Sequence, residues 1–148
     1  EEDLAKFTTL AAFIPVIMGM GGNIGTQSST IVVRGIATGR IEIQDFTKVV
    51  SKELAVGLIL GVIYGIFIGV IAKLTFAAEP FSMALAFSVG LAIIMSMSIA
   101  ALVGSMVPLI LERLNIDPAV ATGPFVTTSI DIVSVYCYFM IATQLLDI

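Results

Sequence analysis

Residues 54–72, LAVGLILGVIYGIFIGVIA, decide the fold, because these 19 residues carry no charge. About 20 consecutive apolar residues cross the hydrocarbon core of a bilayer as an α-helix. The stretch belongs to an apolar block at residues 54–78, and three further blocks lie at residues 10–33, 81–111 and 119–146. The sequence therefore predicts an all-α membrane protein, with four transmembrane helices in a single domain covering residues 1–148.

The composition supports a membrane protein and excludes several function classes. Of 148 residues, 58% are hydrophobic and 12% charged, whereas soluble domains are about 25% charged. The chain has no histidine and one cysteine, which excludes imidazole ligands and an intrachain disulfide. A net charge of −4 leaves no basic face for nucleic acid. We expect neither an enzyme nor a nucleic-acid partner.

The distribution of Lys and Arg predicts the orientation. Residues 34–52 carry four of these side chains, and Arg113 lies on the same side of the membrane, whereas Lys6 and Lys73 lie on the other. Short loops rich in Lys and Arg stay in the cytoplasm. We expect a multi-pass protein of the cell's inner or plasma membrane, with the loop at residues 34–52 cytoplasmic and the C-terminus external.

The segment at residues 41–53 has an amphipathic pattern. Ile43, Phe46, Val50 and Leu54 recur at intervals of three and four, and charged residues lie between them. This pattern is typical of a helix lying in the plane of the lipid headgroups. The sequence predicts such an interfacial helix before the second span.

The second span carries a regular glycine pattern. Gly57, Gly61, Gly65 and Gly69 are each four residues apart and lie on one face of a helix. Small residues at this spacing let another helix backbone approach closely in a membrane. We expect a helix-packing role for these four glycines.

Polar residues form a stripe on the first span. Asn23, Gln27, Thr30 and Arg34 share a sector of roughly 60° at 100° per residue, and Gly19 lies beside them. The stripe can line a hydrated pore, or it can be a hydrogen-bonded seam between helices.

The fourth span repeats this spacing with Thr127, Asp131, Ser134 and Tyr138. Asp131 is the acidic residue that lies well inside an apolar block, where a carboxylate costs about 2.5–3.5 kcal/mol on insertion scales. It therefore requires a compensating partner or a water-filled cavity. No cation of this chain is placed to provide the partner, so we interpret Asp131 as functional.

The oxygen-rich side chains indicate which ion would bind. The Gly123-Pro124 pair interrupts the start of the fourth span and frees backbone carbonyls. Together with Asp131 and the amides these give an all-oxygen lining, which hard cations prefer, and Mg²⁺ is usually held by one or two carboxylates and retained waters. A single carboxylate per chain suggests that two copies meet about a two-fold axis, with the pore between them.

Two motifs resemble a known family. PVIMGMGGNIGTQ at residues 15–27, followed by VRGIATG at residues 33–39, is similar to the second membrane helix of the MgtE magnesium channels. IDPAVATGPFVTT at residues 116–128, followed by Asp131, resembles that family's fifth helix. The resemblance spans essentially all of the chain and covers helices two to five of the family's five.

The resemblance implies a homodimeric Mg²⁺ channel whose pore is lined by the second and fifth helices of both subunits. Asp131 would bind the metal, with the Thr127 carbonyl as a second contact. The resemblance makes Gly19 and Asn23 pore-facing positions, and the two polar stripes add Gln27, Thr30, Ser134 and Tyr138 to the expected pore-lining residues. Family members also carry cytoplasmic regulatory domains, which this chain does not contain.

The function expected from both lines of reasoning is Mg²⁺ flow into the cytoplasm down the electrochemical gradient. Mg²⁺ would be both the bound and the transported ion, with Mn²⁺ or Co²⁺ as alternatives that the residues do not rank. Two other readings stay open. The chain could be an ion- or proton-coupled divalent cation carrier in which Asp131 titrates, or a membrane anchor or assembly subunit that transports nothing.

Overall fold

The structure, a computed structural model, describes residues 2–146, with the side chains of residues 2–5, 121, 122 and 125 left aside. These residues form helices and turns and contain no β-strand. The helices are α1 (Glu2–Ala11), α2 (Ile14–Ala37), α3 (Phe46–Thr75), α4 (Ser82–Arg113) and α5 (Pro124–Leu146), with 3₁₀ turns at Ile43–Asp45 and Pro118–Thr122.

Four helical segments are long and apolar enough to cross a membrane. They are Lys6–Ala37, Ile43–Thr75, Ser82–Arg113 and Val126–Leu146. The predicted all-α membrane fold with four spans is therefore confirmed.

The first span consists of two helices, α1 and α2, with a short break between them. Pro15 lies at the first turn of α2, where its missing N–H leaves no bond unmade. Its ring would clash with the carbonyl of Ala11 if the helix were continuous, and α1 ends at Ala11. The break falls inside the block that the sequence predicts as one helix from residue 10.

The segment at residues 41–53 does not form the separate interfacial helix that its pattern predicts. Only the turn Ile43–Asp45 precedes α3, which runs unbroken from Phe46 to Thr75. No glycine or proline lies between Phe46 and Gly57 to end a helix. Glu53, which a helix on the membrane surface would expose, is buried and belongs to the helix-packing side of α3.

The central helix of the bundle is α4. It packs against α3 on one side and against α2 and α5 on the other, whereas α3 barely contacts α2. The side chains of α4 that these neighbours cover are small or branched, including Ser88, Ala92, Ser96 and Ala100. The chain thus has three layers, with α3 outermost, α4 in the middle, and α2 and α5 side by side.

Glycine sets the spacing between these layers. The glycine stripe on α3 consists of Gly57, Gly61, Gly65 and Gly69. A Cβ added to any of these four residues would lie within 3.1 Å of a backbone atom of α4. On the opposite side of α4, Gly104 packs directly against the backbone of Gly25 in α2. Both contacts bring helix backbones close enough that any side chain at these positions would force the helices apart.

We predict that Gly57→Ala destabilises the bundle. A methyl group there would lie 2.8 Å from the Met97 carbonyl oxygen, which cannot move without shifting α4, and overpacking of this kind costs about 1–3 kcal/mol. The matched control is Gly19→Ala, because no atom lies within 4 Å of a Cβ at Gly19 and alanine is the better helix former. Thermal unfolding in detergent should show a lower Tm for Gly57→Ala than for the wild type, and an equal or higher Tm for Gly19→Ala. Equal Tm values for the wild type and both variants would contradict the packing argument.

Candidate ion-binding site

Asp131 lies about two turns into α5, roughly 10 Å along the helix from its start. Its side chain lines an open hollow of about 610 Å³ on the surface of the chain. The rest of the lining of this hollow is mostly apolar. The remaining lining residues are Met18, Thr128, Ile132, Val135, Tyr136 and Phe139. Among the residues that the structure describes, none forms a salt bridge or hydrogen bond with the Asp131 carboxylate.

The carboxylate of Asp131 faces a bare part of the α2 backbone. A Cβ added to Gly22 would lie 3.6 Å from Asp131 Oδ1, so a larger side chain at this position would cover the carboxylate. The carbonyl of Gly22 accepts a hydrogen bond of 2.8 Å from the Thr26 hydroxyl. The glycine therefore keeps the carboxylate accessible while α2 and α5 stay in contact.

The predicted polar stripe of α2 is open, but its residues are not among those that line the hollow around Asp131. Asn23, Gln27 and Thr30 are exposed on the single chain. Gly19, on the same helix, is exposed as well and has no neighbouring atom within 4 Å of an added Cβ. The stripe is therefore not used as a packing seam between helices of one chain, although a second chain could cover it.

Two residues predicted to line a pore lie elsewhere. Ser134 is 2% exposed and Tyr138 is fully buried. The Tyr138 hydroxyl donates a 3.0 Å hydrogen bond to the carbonyl of Leu10, which ties α5 to α1. Helical spacing gives the direction of these side chains relative to Asp131. Because α4 packs on this side of α5 and the Tyr138 hydroxyl reaches α1, Ser134 and Tyr138 do not reach the open surface of the single chain.

Thr127 does not line the hollow around Asp131. Its hydroxyl donates to the carbonyl of Pro124 at 3.1 Å, which leaves the side chain occupied within its own helix turn. The neighbouring Thr128 lines the hollow instead. Thr128 is the hydroxyl-bearing residue that lines the same hollow as Asp131, and the sequence pattern misses it because it lies one residue outside the stripe.

The start of α5 has the irregular form that its sequence indicates. The Asp117 carboxylate accepts a 2.9 Å hydrogen bond from the amide of Ala119, capping the 3₁₀ turn Pro118–Thr122. Gly123 then adopts an extended conformation, and α5 begins at Pro124. This break fixes where the helix carrying Asp131 starts.

A buried serine pair lies behind the ion-binding candidate and was not predicted as a site. The hydroxyls of Ser96 on α4 and Ser134 on α5 are 2.6 Å apart, and Ser96 also donates to the carbonyl of Ile17 on α2 at 3.4 Å. Either hydroxyl can be the donor between the two serines, and Ser134 donates whenever the Ser96 proton points to the Ile17 carbonyl. Gly21 packs directly over the Ser96 hydroxyl. These contacts join three helices within one turn of Asp131.

Sequence reasoning could not separate Ser96 from the other serines of α4. Ser98 and Ser105 look equivalent in the sequence, yet their hydroxyls donate to carbonyls of their own helix, at Ile94 and Ala101. Only the packing of α4 between α2 and α5 distinguishes Ser96.

Glu53 is a buried carboxylate that the sequence pattern misplaced. It is 6% exposed and accepts a 2.8 Å hydrogen bond from the Ser28 hydroxyl of α2. The signal that could have located it is its position four residues before Gly57, which puts it on the glycine stripe rather than on a polar surface. This bond is a direct link between α3 and α2, two helices that otherwise touch little.

The donor set near Asp131 fits a hydrated hard cation. Among the described residues, no three His, Cys, Asp or Glu side chains cluster as a metal site. Asp131 is therefore a single carboxylate with the Thr128 hydroxyl nearby. Mg²⁺ releases its waters reluctantly and is commonly held by one or two carboxylates through a partly retained hydration shell, so a roomy site with one carboxylate suits it.

Comparison with known proteins shows the family to which the chain is similar. Residues 14–141 match a family described as MgtE, divalent cation transporter. The chain is similar to proteins named magnesium transporter MgtE from Thermus thermophilus (35% identity over 99% of this chain and 32% of the relative), Enterococcus faecalis (34%, over 97% and 31%) and Bacillus subtilis (32%, over 97% and 31%). The chain spans about a third of the length of these relatives.

We predict measurable energetic coupling between Ser96 and Ser134. A double-mutant cycle of Ser96→Ala and Ser134→Ala should give about 0.6 kcal/mol and at most roughly 1.7 kcal/mol, the range for hydrogen bonds between membrane helices. Unfolding in mixed micelles would measure it. The control cycle pairs Ser134→Ala with Ser98→Ala, whose hydroxyl bonds its own helix, and should show no coupling. Equal coupling in both cycles would contradict the assignment.

Proposed function

Because the chain belongs to the MgtE family of divalent cation transporters, we propose that it forms the ion-conducting part of a magnesium channel with Asp131 as the ion-binding carboxylate. The observation that carries this proposal is the position of Asp131 in an open hollow of a transmembrane helix, against the bare backbone of Gly22. The names of the three relatives, magnesium transporters, support Mg²⁺ as the transported ion.

The energetics of Asp131 favour a cation as its partner. A carboxylate within a membrane span costs about 2.5–3.5 kcal/mol unless water or an opposite charge compensates it. No described side chain pairs with Asp131, and the hollow beside it is large enough for a hydrated ion. A divalent cation in this hollow compensates the charge without requiring a protein partner.

We propose that the pore lies between two copies of the chain. Asn23, Gln27 and Thr30 are exposed on α2, the helix whose Met18 lines the hollow around Asp131 and whose Gly22 faces the carboxylate. A second copy related by a two-fold axis would cover this surface and add a second Asp131. A bound divalent ion would keep both carboxylates ionised, whereas two carboxylates facing each other without an ion would share a proton.

The driving force for uptake is the membrane potential. With the loop at residues 34–52 in the cytoplasm, a potential of about 100 mV is worth roughly 2.3 kcal/mol per charge, or about 4.6 kcal/mol for a divalent cation. This supports inward flow of Mg²⁺ without coupling to ATP or to a counter-ion. Mn²⁺ and Co²⁺ have similar coordination preferences and serve as probes of the same site.

We predict that Asp131→Asn abolishes divalent cation binding. Mn²⁺ binding to the full-length dimer, followed by EPR, should saturate in the wild type and be displaced by Mg²⁺, because the carboxylate supplies the charge of the site. The control is Asp117→Asn, which keeps the capping interaction outside the membrane spans, since asparagine is also a good N-cap. This control should bind Mn²⁺ like the wild type.

Three results would overturn parts of the proposal. Equal Mn²⁺ binding by the wild type and Asp131→Asn would exclude Asp131 as the ion site. An unchanged rate of Mg²⁺ flux into liposomes by Asp131→Asn would show that conduction does not depend on this carboxylate, whereas no flux by the wild type would favour the anchor reading. Flux that moves protons in a fixed ratio to Mg²⁺ would show a coupled carrier instead of a channel.

A further inference from the structure

A groove runs along the outer face of the α3–α4 pair, across α4 from the ion-binding candidate. It encloses about 370 Å³, and its floor is formed where Gly65 and Gly69 of α3 meet Gly90 of α4. Exposed apolar side chains form its walls, among them Ile66 and Phe87. The glycine contacts leave a depression that neighbouring side chains do not fill.

The groove has the length of one lipid leaflet. It extends from Gly65 to Lys73 along α3 and from Met83 to Ile94 along α4. At 1.5 Å per residue these segments measure about 12 Å and about 16 Å. Half of a hydrocarbon core of about 30 Å is about 15 Å, so the groove covers one leaflet from the headgroup level towards the midplane.

A single charged side chain lies at one end of this groove. Lys73 occupies the last turn of α3 and lines the groove, and its ammonium forms no salt bridge with another described residue. Because the helix ends two residues later, the long side chain can reach the headgroup layer while its stem stays against apolar surface. The groove therefore has a cation at the headgroup end and apolar surface below it. This arrangement is complementary to an anionic phospholipid, which has a negative headgroup above an apolar acyl chain.

We propose that this groove binds one acyl chain of an anionic phospholipid whose phosphate is held by Lys73. The length of the groove, about one leaflet, matches one acyl chain, and the single cation at its headgroup end matches one anionic headgroup. The site is independent of the proposed ion path, because α4 separates α3 from α5.

Native mass spectrometry of the protein incubated with phosphatidylglycerol or with phosphatidylcholine of the same acyl chains tests this site. One cationic side chain near an anionic headgroup is worth about 1 kcal/mol, so the wild type should prefer phosphatidylglycerol by about fivefold. Lys73→Gln should lose this preference and Lys73→Arg should keep it. The control Lys52→Gln removes an exposed charge at the other end of α3 and should leave the preference unchanged.

A second variant tests the apolar part of the groove. Ala86→Leu places a larger side chain in the groove and should lower the retention of both lipids, while its Tm in detergent reports whether the fold persists. Phosphatidylglycerol carrying a diazirine in its acyl chain should cross-link to residues 83–94 in the wild type. The proposal would be overturned if the wild type showed no preference between the lipids, or if Lys73→Gln kept the preference. It would also be overturned if inorganic phosphate displaced the lipid, or if Ala86→Leu lost the dimer rather than the lipid.

Discussion

Helices in a bilayer gain no hydrophobic free energy by leaving lipid for one another, so they associate through close backbone packing and hydrogen bonds. In this chain both kinds of contact converge on α4. Its outer side meets the glycine stripe of α3, and its inner side meets α2 at Gly104 and Gly25. The remaining contacts follow from these close approaches, because they determine which side chains of α2 and α5 lie inside the chain and which remain on its surface.

The candidate site depends on the same packing. Since α4 covers one side of α5, Ser134 and Tyr138 become internal hydrogen-bonding groups, and Asp131 stays at the edge of the covered side. The Ser96–Ser134 pair fixes α5 against α4 and α2 within one turn of the carboxylate. Gly22 has no side chain to cover the carboxylate on the side of α2, so the carboxylate stays accessible to an ion from the open hollow. A rigid scaffold on one side and an open hollow on the other are what an ion site within a membrane span needs.

The sequence predicted the class of fold and the family, and both predictions are confirmed. Hydrophobic length is decisive for membrane helices, since the bilayer requires a minimum apolar length and satisfied backbone bonds. Finer features depended on neighbours that periodicity does not show. Residues 41–53 were predicted as a surface helix because charges alternate with apolar residues, yet Glu53 finds a buried partner in Ser28. Likewise, the spacing of Ser134 and Tyr138 relative to Asp131 gave their direction but not the helix opposite them.

The central claim is that a divalent cation binds at Asp131 between two copies of the chain, and the most direct measurement is anomalous diffraction from crystals of the full-length protein grown with Mn²⁺. The account predicts an anomalous peak on or beside a two-fold axis, next to the Asp131 carboxylates and Gly22 of both copies, which weakens when Mg²⁺ is added. Crystals in which the Asp131 side chains are well ordered but no anomalous peak lies near them would contradict the claim. So would Mn²⁺ bound at another transmembrane position, if the same peak is present in Asp131→Asn.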